Sequence, residues 1–315
     1  MSAKTISKTQ NRIRMSSGDR AFVIICYLVV LLVAFICFYP FWYVIINSVV
    51  TKDAALKGVY IFPKSGDFYF GTYLNVLKRG DIFSGMLVSA ARTVISTVGC
   101  TVFSAMFAFL MTRPKLRFRK FIYRYAIITM YVSGGLIPWY LMMKFYGLYN
   151  NFGTYVVPGM FSAYSVILIK TFMESIPPSL EESARIDGAG FVTTFFKIIM
   201  PLCKPILATC ALFTAVGTWN LYFDNYLLVQ NPHLQTVQMA LYNYIKQAEA
   251  LAANMQQAAQ SGVTSQSILK NLQNNLTVES VRNVATILSI LPIMLVYPFL
   301  QKYFAKGIML GAIKG

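Results

Sequence analysis

The sequence predicts an all-α integral membrane protein with six transmembrane helices and both termini in the cytoplasm. Three observations carry that expectation. The 315-residue chain is 57% hydrophobic and only 12% charged, with a mean hydropathy of +0.56. Several apolar runs continue for the length a bilayer requires, since about 20 residues at about 1.5 Å each cover a hydrocarbon core of about 30 Å. Those runs do not alternate apolar and polar side chains with period two, which excludes a closed β-barrel. One helical bundle is therefore expected rather than two soluble domains.

The first span is expected at 21–47, AFVIICYLVVLLVAFICFYPFWYVIIN. The basic tail 1–20 before it imitates a secretory signal, but the apolar run is too long and no small-residue cleavage site follows, so the segment stays as a span. The remaining spans are expected at 84–111, 121–144, 153–173, 203–229 and 282–301. Lys and Arg sort by loop: the tail 1–20 holds five, RPKLRFRKFIYR at 113–124 six, 170–204 four and the tail 302–315 three. The loops 48–83, 145–152 and 230–281, with their flanking residues, hold nine over far more sequence. Basic residues collect on the cytoplasmic side. That puts both termini and the segment 175–201 inside, and it accounts for the net charge of +17 without nucleic acid as a partner.

Between the spans, 48–83 mixes glycine, aromatic and charged residues and reads as a short ordered extracellular excursion. The stretch 237–276 is rich in Ala, Gln and Asn, has apolar residues at helical spacing and is broken at Ser261-Gly262. It reads as one or two extracellular amphipathic helices, or as a solvated loop. Cys26, Cys37, Cys100, Cys203 and Cys210 lie in or beside apolar runs without a CxxC, as reduced packing residues do. The lone His233 argues against a histidine metal centre.

Four of the 11 acidic residues, Glu174, Glu181, Glu182 and Asp187, fall in one short stretch between two apolar runs. Pro177 and Pro178 stop the fourth span, and Ser179 precedes Glu182 by three, a capping-box spacing. Acids in the first turns suit the helix dipole. A short helix is expected from near Ser179 to the break at Gly188 and Gly190, followed by a second, VTTFFKIIM, ending at Pro201. Its carboxylates lie on one part, with Phe191, Phe195 and Phe196 free to pack on another. The residues alone leave two readings open, an element gripped by a soluble partner or a cap on the bundle.

Glu182-Ser183-Ala184, three residues, Gly188, nine residues, Ile198, one residue and Met200-Pro201 resemble the EAA loop of ABC importer permeases, E-A-A-x3-G-x9-I-x-L-P. The chain departs from it at Ser183 and Met200. ARIDGA looks like the carbohydrate-importing branch. GLYNNFGTYVVPGMF at 147–161, FMESIPPSLEESARIDGA, TWNLYFDNYLL at 218–228 and the tail QKYFAKGIMLGAIKG at 301–315 are similar to the same branch. The chain thus resembles a permease subunit of a type I ABC carbohydrate importer of the maltose and oligosaccharide type. The long 237–276 segment looks like the version in permeases for larger oligosaccharides.

The resemblance implies the type I permease fold, multi-pass in a bacterial plasma (inner) membrane, over 21–301. It implies as partners a second, homologous six-span permease subunit, two cytoplasmic ATPase subunits, and a lipid-anchored or periplasmic solute-binding protein. The substrate is a carbohydrate and the surroundings are lipid. The partner ATPases hold ATP and Mg, and this chain binds no cofactor. It is not expected to be an enzyme, because it has no nucleophile-base pair or phosphate-binding glycine loop. Glu181, Glu182, Ala184, Asp187, Gly188 and Pro201, with Gly311 and Lys314 of the tail, become the ATPase-coupling residues. Glu182 would pair with a basic residue of the ATPase groove, and Gly188 would permit the turn.

Sugar recognition combines aromatic faces with amides and hydroxyls. Trp219, Asn220, Tyr222 and Asp224 in the fifth span, Trp139 and Tyr140 in the third, and Arg92 in the second are the pathway candidates. The aromatics read equally as packing or interfacial residues, and Arg92 and Asp224 as pathway charges, a buried pair or outer-interface residues. An ion-coupled transporter would want paired intramembrane carboxylates or an inverted repeat, and a membrane enzyme a His/Asp/Glu cluster. The sequence offers none of these. An amino-acid or peptide permease is disfavoured by ARIDGA and the tail.

Overall fold

Helix α1 (Ser17–Ser48) is the first element of this computed structural model, which describes residues 16–51, 61–64, 66–78, 80–261, 281–296 and 298. Asp19 accepts the Ser16 N–H at 3.0 Å, an acid where the helix dipole favours one. Mean hydropathy within α1 reaches 3.2, yet the chain buries only Ile46, Asn47 and Ser48 at its far end. The rest of the helix faces away from the chain's own core. The following excursion folds back on it: Trp42 donates its indole N–H to the Ile61 carbonyl at 3.0 Å, and Val50 pairs with Phe68 in an isolated antiparallel bridge. Helix α2 (Gly71–Lys78) ends the excursion.

Helix α3 (Asp81–Thr112) is the axis of the bundle. Gly85, Ser89, Ser96, Cys100, Ser104 and Ala108 recur along its inward side and are buried, because small side chains let neighbouring helices approach closely.

The segment expected as one span at 121–144 is two helices, α4 (Arg119–Tyr131) and α5 (Leu136–Phe145), set at 120°. Gly134 and Gly135 make the break, Gly135 at φ +85°, where glycine has no β-carbon to clash. The segment 153–173 is bent by 42° between α6 (Gly153–Val156), continued by a 3-10 turn to Gly159, and α7 (Ala163–Met173). Pro158 ends one and Ser162 caps the other, accepting the Ser165 N–H at 3.2 Å. Helices α8 (Ser179–Ile186) and α9 (Phe191–Leu202) follow, and α9 meets α10 (Lys204–Asn220) at 81°. The expected fifth span, 203–229, is also broken: after an extended Leu221 the chain restarts as α11 (Phe223–Leu228). Helix α12 is described over Val237–Ser261, so the break expected at Ser261-Gly262 falls at the edge of the described residues, and α13 (Val281–Val296) is the last helix described. Residues 1–15, 262–280 and 299–315, with the rest of the 237–276 segment and the tail, lie outside the described residues.

Among the described residues two helices, α1 and α3, can each cross a bilayer alone by length and hydropathy, and counting each bent pair as one crossing gives up to five. The core runs along α3. Toward its C-terminal end Ala105 and Phe109 pack with Val166, Ile169, Phe195 and Ile199. Toward its N-terminal end Ile82 is grouped with Val76, Trp219, Val237 and Val284. Cys100, Cys203 and Cys210 are buried free thiols, while Cys26 and Cys37 are exposed on α1. Leu31, Phe35, Val94 and Val98 stay exposed, an outward surface suited to lipid.

Candidate functional site

Helix α8 begins at Ser179 as expected, but not through a capping box. Pro178 precedes the first turn with its φ already near the helical value, and its carbonyl accepts the Glu181 and Glu182 N–H groups at 3.0 and 3.1 Å. Ser179 makes no capping hydrogen bond among the described residues. Gly188 takes φ +78° between α8 and α9, a left-handed turn that strains any residue with a β-carbon. The second helix is longer than expected. It starts at Phe191, widens into a π turn over Thr194–Ile199 and passes Pro201 to end at Leu202. Pro201 sits in the first turn of the closing piece, where its missing N–H is not needed.

The acids of α8 divide. Arg113, which caps the C-terminal end of α3, grips both oxygens of Glu181, Nη2 to Oε1 at 2.6 Å and Nη1 to Oε2. This arginine holds the Glu181 carboxyl below its ordinary range. The guanidinium also lies 3.9 Å from the centre of the Phe109 ring, which packs on Phe191 and Phe195 at 4.8 and 5.1 Å. Ala184 is buried. Glu182 and Asp187 are exposed beside Ile186, which is 85% exposed, and neither acid has an ion pair among the described residues. Glu174 pairs with Lys170 at 2.6 Å. Gly311 and Lys314 lie outside the described residues. One side of the segment is thus held by this chain, and the other is open.

Candidates from the second and fifth spans meet at the break between α10 and α11. Arg92, buried on α3, donates Nη1 to the freed Leu221 carbonyl at 2.9 Å and Nη2 to Asp224 Oδ2 at 2.5 Å. Its guanidinium rests 4.7 Å from the centre of the Tyr155 ring. The other Asp224 oxygen accepts the Asn225 N–H at 2.8 Å, Asn225 accepts the Thr236 N–H at 2.8 Å, and Ser89 accepts the Val237 N–H at 3.0 Å. Irregular backbone at membrane depth needs such internal partners. Of the readings left open for Arg92 and Asp224, the geometry is that of a buried pair. Trp219 is also buried, donating its indole N–H to the Ser289 carbonyl at 2.9 Å. Trp139 and Tyr140 are half-buried against the cluster around Met143 and Leu228, with the Lys144 ammonium 4.9 Å from the Tyr140 ring.

Asn220 and Tyr222 face outward instead. Tyr222 stacks on Tyr242 of α12 with centroids 5.0 Å apart, and Tyr226 meets Tyr242 edge-on at 5.7 Å. Gln238 donates to the Asn220 side-chain oxygen at 3.5 Å, and Lys246 lies 5.8 Å from the Tyr242 ring. Tyr226, Gln238, Tyr242 and Lys246 are not among the residues the sequence singles out. Their four-residue spacings are visible in it, but nothing local says that α11 and α12 bring them together. Aromatic faces beside amides and an ammonium can stack on a pyranose and hydrogen-bond its hydroxyls.

Residues 100–310 match the family model for the binding-protein-dependent transport system inner membrane component. The chain is 33% identical over 297 residues to the polygalacturonan/rhamnogalacturonan transport system permease protein YtcP of Bacillus subtilis (strain 168), covering 94% of this chain and 99% of that protein. It is 27% identical over 284 residues to the melibiose/raffinose/stachyose import permease protein MelC of the same organism, covering 88% and 92%. A chain in the crystal structure of a bacterial ABC transporter involved in the import of the acidic polysaccharide alginate superposes with a TM-score of 0.79 at 29% identity, over 92% of this chain and 99% of that one.

Proposed function

Because this chain belongs to the family of binding-protein-dependent transport system inner membrane components and has the type I ABC importer permease fold, we propose that it forms half of the translocation pathway of an oligosaccharide importer. A second, homologous six-span permease supplies the other half. Two cytoplasmic ATPase subunits bind ATP and Mg, and a lipid-anchored or periplasmic solute-binding protein delivers the sugar. The chain crosses a bacterial inner membrane six times, through α1, α3, α4 with α5, α6 with α7, α10 with α11, and α13, with both termini inside. The distribution of Lys and Arg supports that orientation.

The observation that carries this reading is the division of α8. Glu181 and Ala184 turn to this chain, while Glu182, Ile186 and Asp187 are left open to a docking ATPase. Glu182 pairs with a base in the ATPase groove, Gly188 sets the angle of the helix pair, Pro201 feeds the next span, and Gly311 and Lys314 reach the same interface. The Tyr222–Tyr242 face with Asn220 meets the sugar, and Arg92, Asp224 and Trp219 support it from beneath. Two of the matches reported above are named for polygalacturonan/rhamnogalacturonan and for the acidic polysaccharide alginate, which favours a uronate-bearing oligosaccharide. Lys246 beside that face pairs with Glu249 at 2.8 Å, so a uronate would compete for an ammonium already held.

The test is ATP hydrolysis and sugar uptake by the reconstituted complex over acidic and neutral oligosaccharides, with Glu182→Lys and Gly188→Pro. Binding protein plus one sugar should stimulate hydrolysis, and both variants should abolish uptake while still assembling. Normal transport by both variants would sink the reading.

A further inference from the structure

Arg113 is fixed to α3 several times over. Its N–H closes the helix on the Leu110 carbonyl at 3.1 Å, its Nε donates to the Phe109 carbonyl at 3.4 Å, and its guanidinium covers the Phe109 ring. From that anchorage it takes Glu181 with both arms. A bidentate fork sets orientation as well as distance, which a single point charge does not. The side chains of the pair are only 13% and 22% exposed, and among the described residues no other ion pair joins α8 to the chain. Phe191 and Phe195 of α9 close over the same Phe109 ring, so both helices of the segment meet the end of α3 at one place.

The same helix carries a second arginine clamp. Arg92 holds Asp224 and the Leu221 carbonyl at the elbow between α10 and α11. Arg92 and Arg113 are 21 positions apart on the chain, about 31 Å along a helix rising about 1.5 Å per residue. That is one hydrocarbon thickness of about 30 Å. Helix α3 runs between them without a break, and Tyr222, next to the elbow, is the residue that stacks on Tyr242.

We propose that Arg113 and Glu181 are the positioning pair through which movement of the docked segment enters this subunit, and that α3 carries it as a strut to the Arg92–Asp224 elbow beneath the tyrosine face. The inference rests on the docking reading given above. Neither residue touches ATP or sugar. Their work is to make α8 and α3 move as one piece, so loosening them lets hydrolysis proceed without a matching displacement at the elbow.

The experiment uses the complete reconstituted complex with Arg113→Glu, Glu181→Arg and the double exchange, and measures sugar imported per ATP hydrolysed, with assembly checked by co-purification. Each single reversal should lower that ratio roughly tenfold, a coupling of ordinary allosteric size, and the exchange should restore most of it. A wild-type ratio in both reversals overturns the proposal, as does an assembled exchange variant that recovers nothing. Should a reversal block assembly, Arg113→Gln and Glu181→Gln remove the charge without repulsion and are judged by the same ratio. Glu182→Lys, run in parallel, separates the failures: its normal transport overturns the docking reading itself, whereas its inactivity beside an unaffected Arg113→Glu overturns only the strut.

Discussion

At the scale of single residues, Arg92 and Asp224 decide more than any others, because each is a buried charge whose only ionic partner among the described residues is the other. Arg92→Ala strands the carboxylate and the Leu221 carbonyl together, and the expected loss is about 3–5 kcal/mol. Joint replacement by Met and Leu should cost much less than the single change, since no charge is left behind. Thermal melting of the purified protein in detergent reads both. Glu181 makes a prediction about pH. Arg113 depresses its carboxyl below the ordinary value of 4.5, so its stabilisation is present above the ordinary carboxylate range and is lost as pH falls through the lowered value. Protection of the α8 amides, taken relative to their intrinsic exchange rates at each pH, is expected to hold under mild acidification and to fall only below that range. An Arg113→Gln variant should lose this pH dependence.

At the scale of elements, close approach makes Gly85 the sensitive point of α3. A β-carbon there would stand 3.0 Å from the Val237 nitrogen and 3.2 Å from the Thr236 carbonyl carbon, backbone atoms that cannot swing aside. Gly85→Val is expected to lift α12 from α3 and cost about 1–3 kcal/mol. Gly99→Ala on the same helix should be nearly silent, because its nearest neighbour is the Met160 side chain at 3.5 Å. Melting temperatures of the two variants make the comparison. What the sequence discloses follows the same division between local and distant. The start of α8 after two prolines and the turn at Gly188 are local chemistry and are legible. The break at Gly134-Gly135 is written in glycine, but hydropathy reports the solvent of a segment and not the path of its backbone, so 121–144 reads as one span. At Leu221-Tyr222 no residue announces a break, and the Arg92 bond that satisfies the freed carbonyl comes from 129 residues away. Glu181 and Glu182 look alike in sequence and differ because Arg113, 68 positions away, grips the first and not the second.

At the scale of the whole molecule, the bundle packs against one side of α3 and leaves α1 outside. A photoreactive apolar label dissolved in the bilayer is expected to mark α1 of the lone chain on all sides over 22–41, where its side chains are exposed or half-exposed. Assembly with the partner permease should shield one side. An evenly labelled α1 in the full complex would count against a partner seated there. The Arg92–Asp224 pair also bears on the order in which the chain is made. Arg92 enters the membrane 132 residues ahead of Asp224. At synthesis rates of about 5–20 residues per second, that is a wait of roughly 7–26 seconds, during which the guanidinium is a charge within the second span with no carboxylate beside it. The nascent second span is therefore a provisional guest of the insertion machinery, and only the arrival of the fifth makes its place permanent.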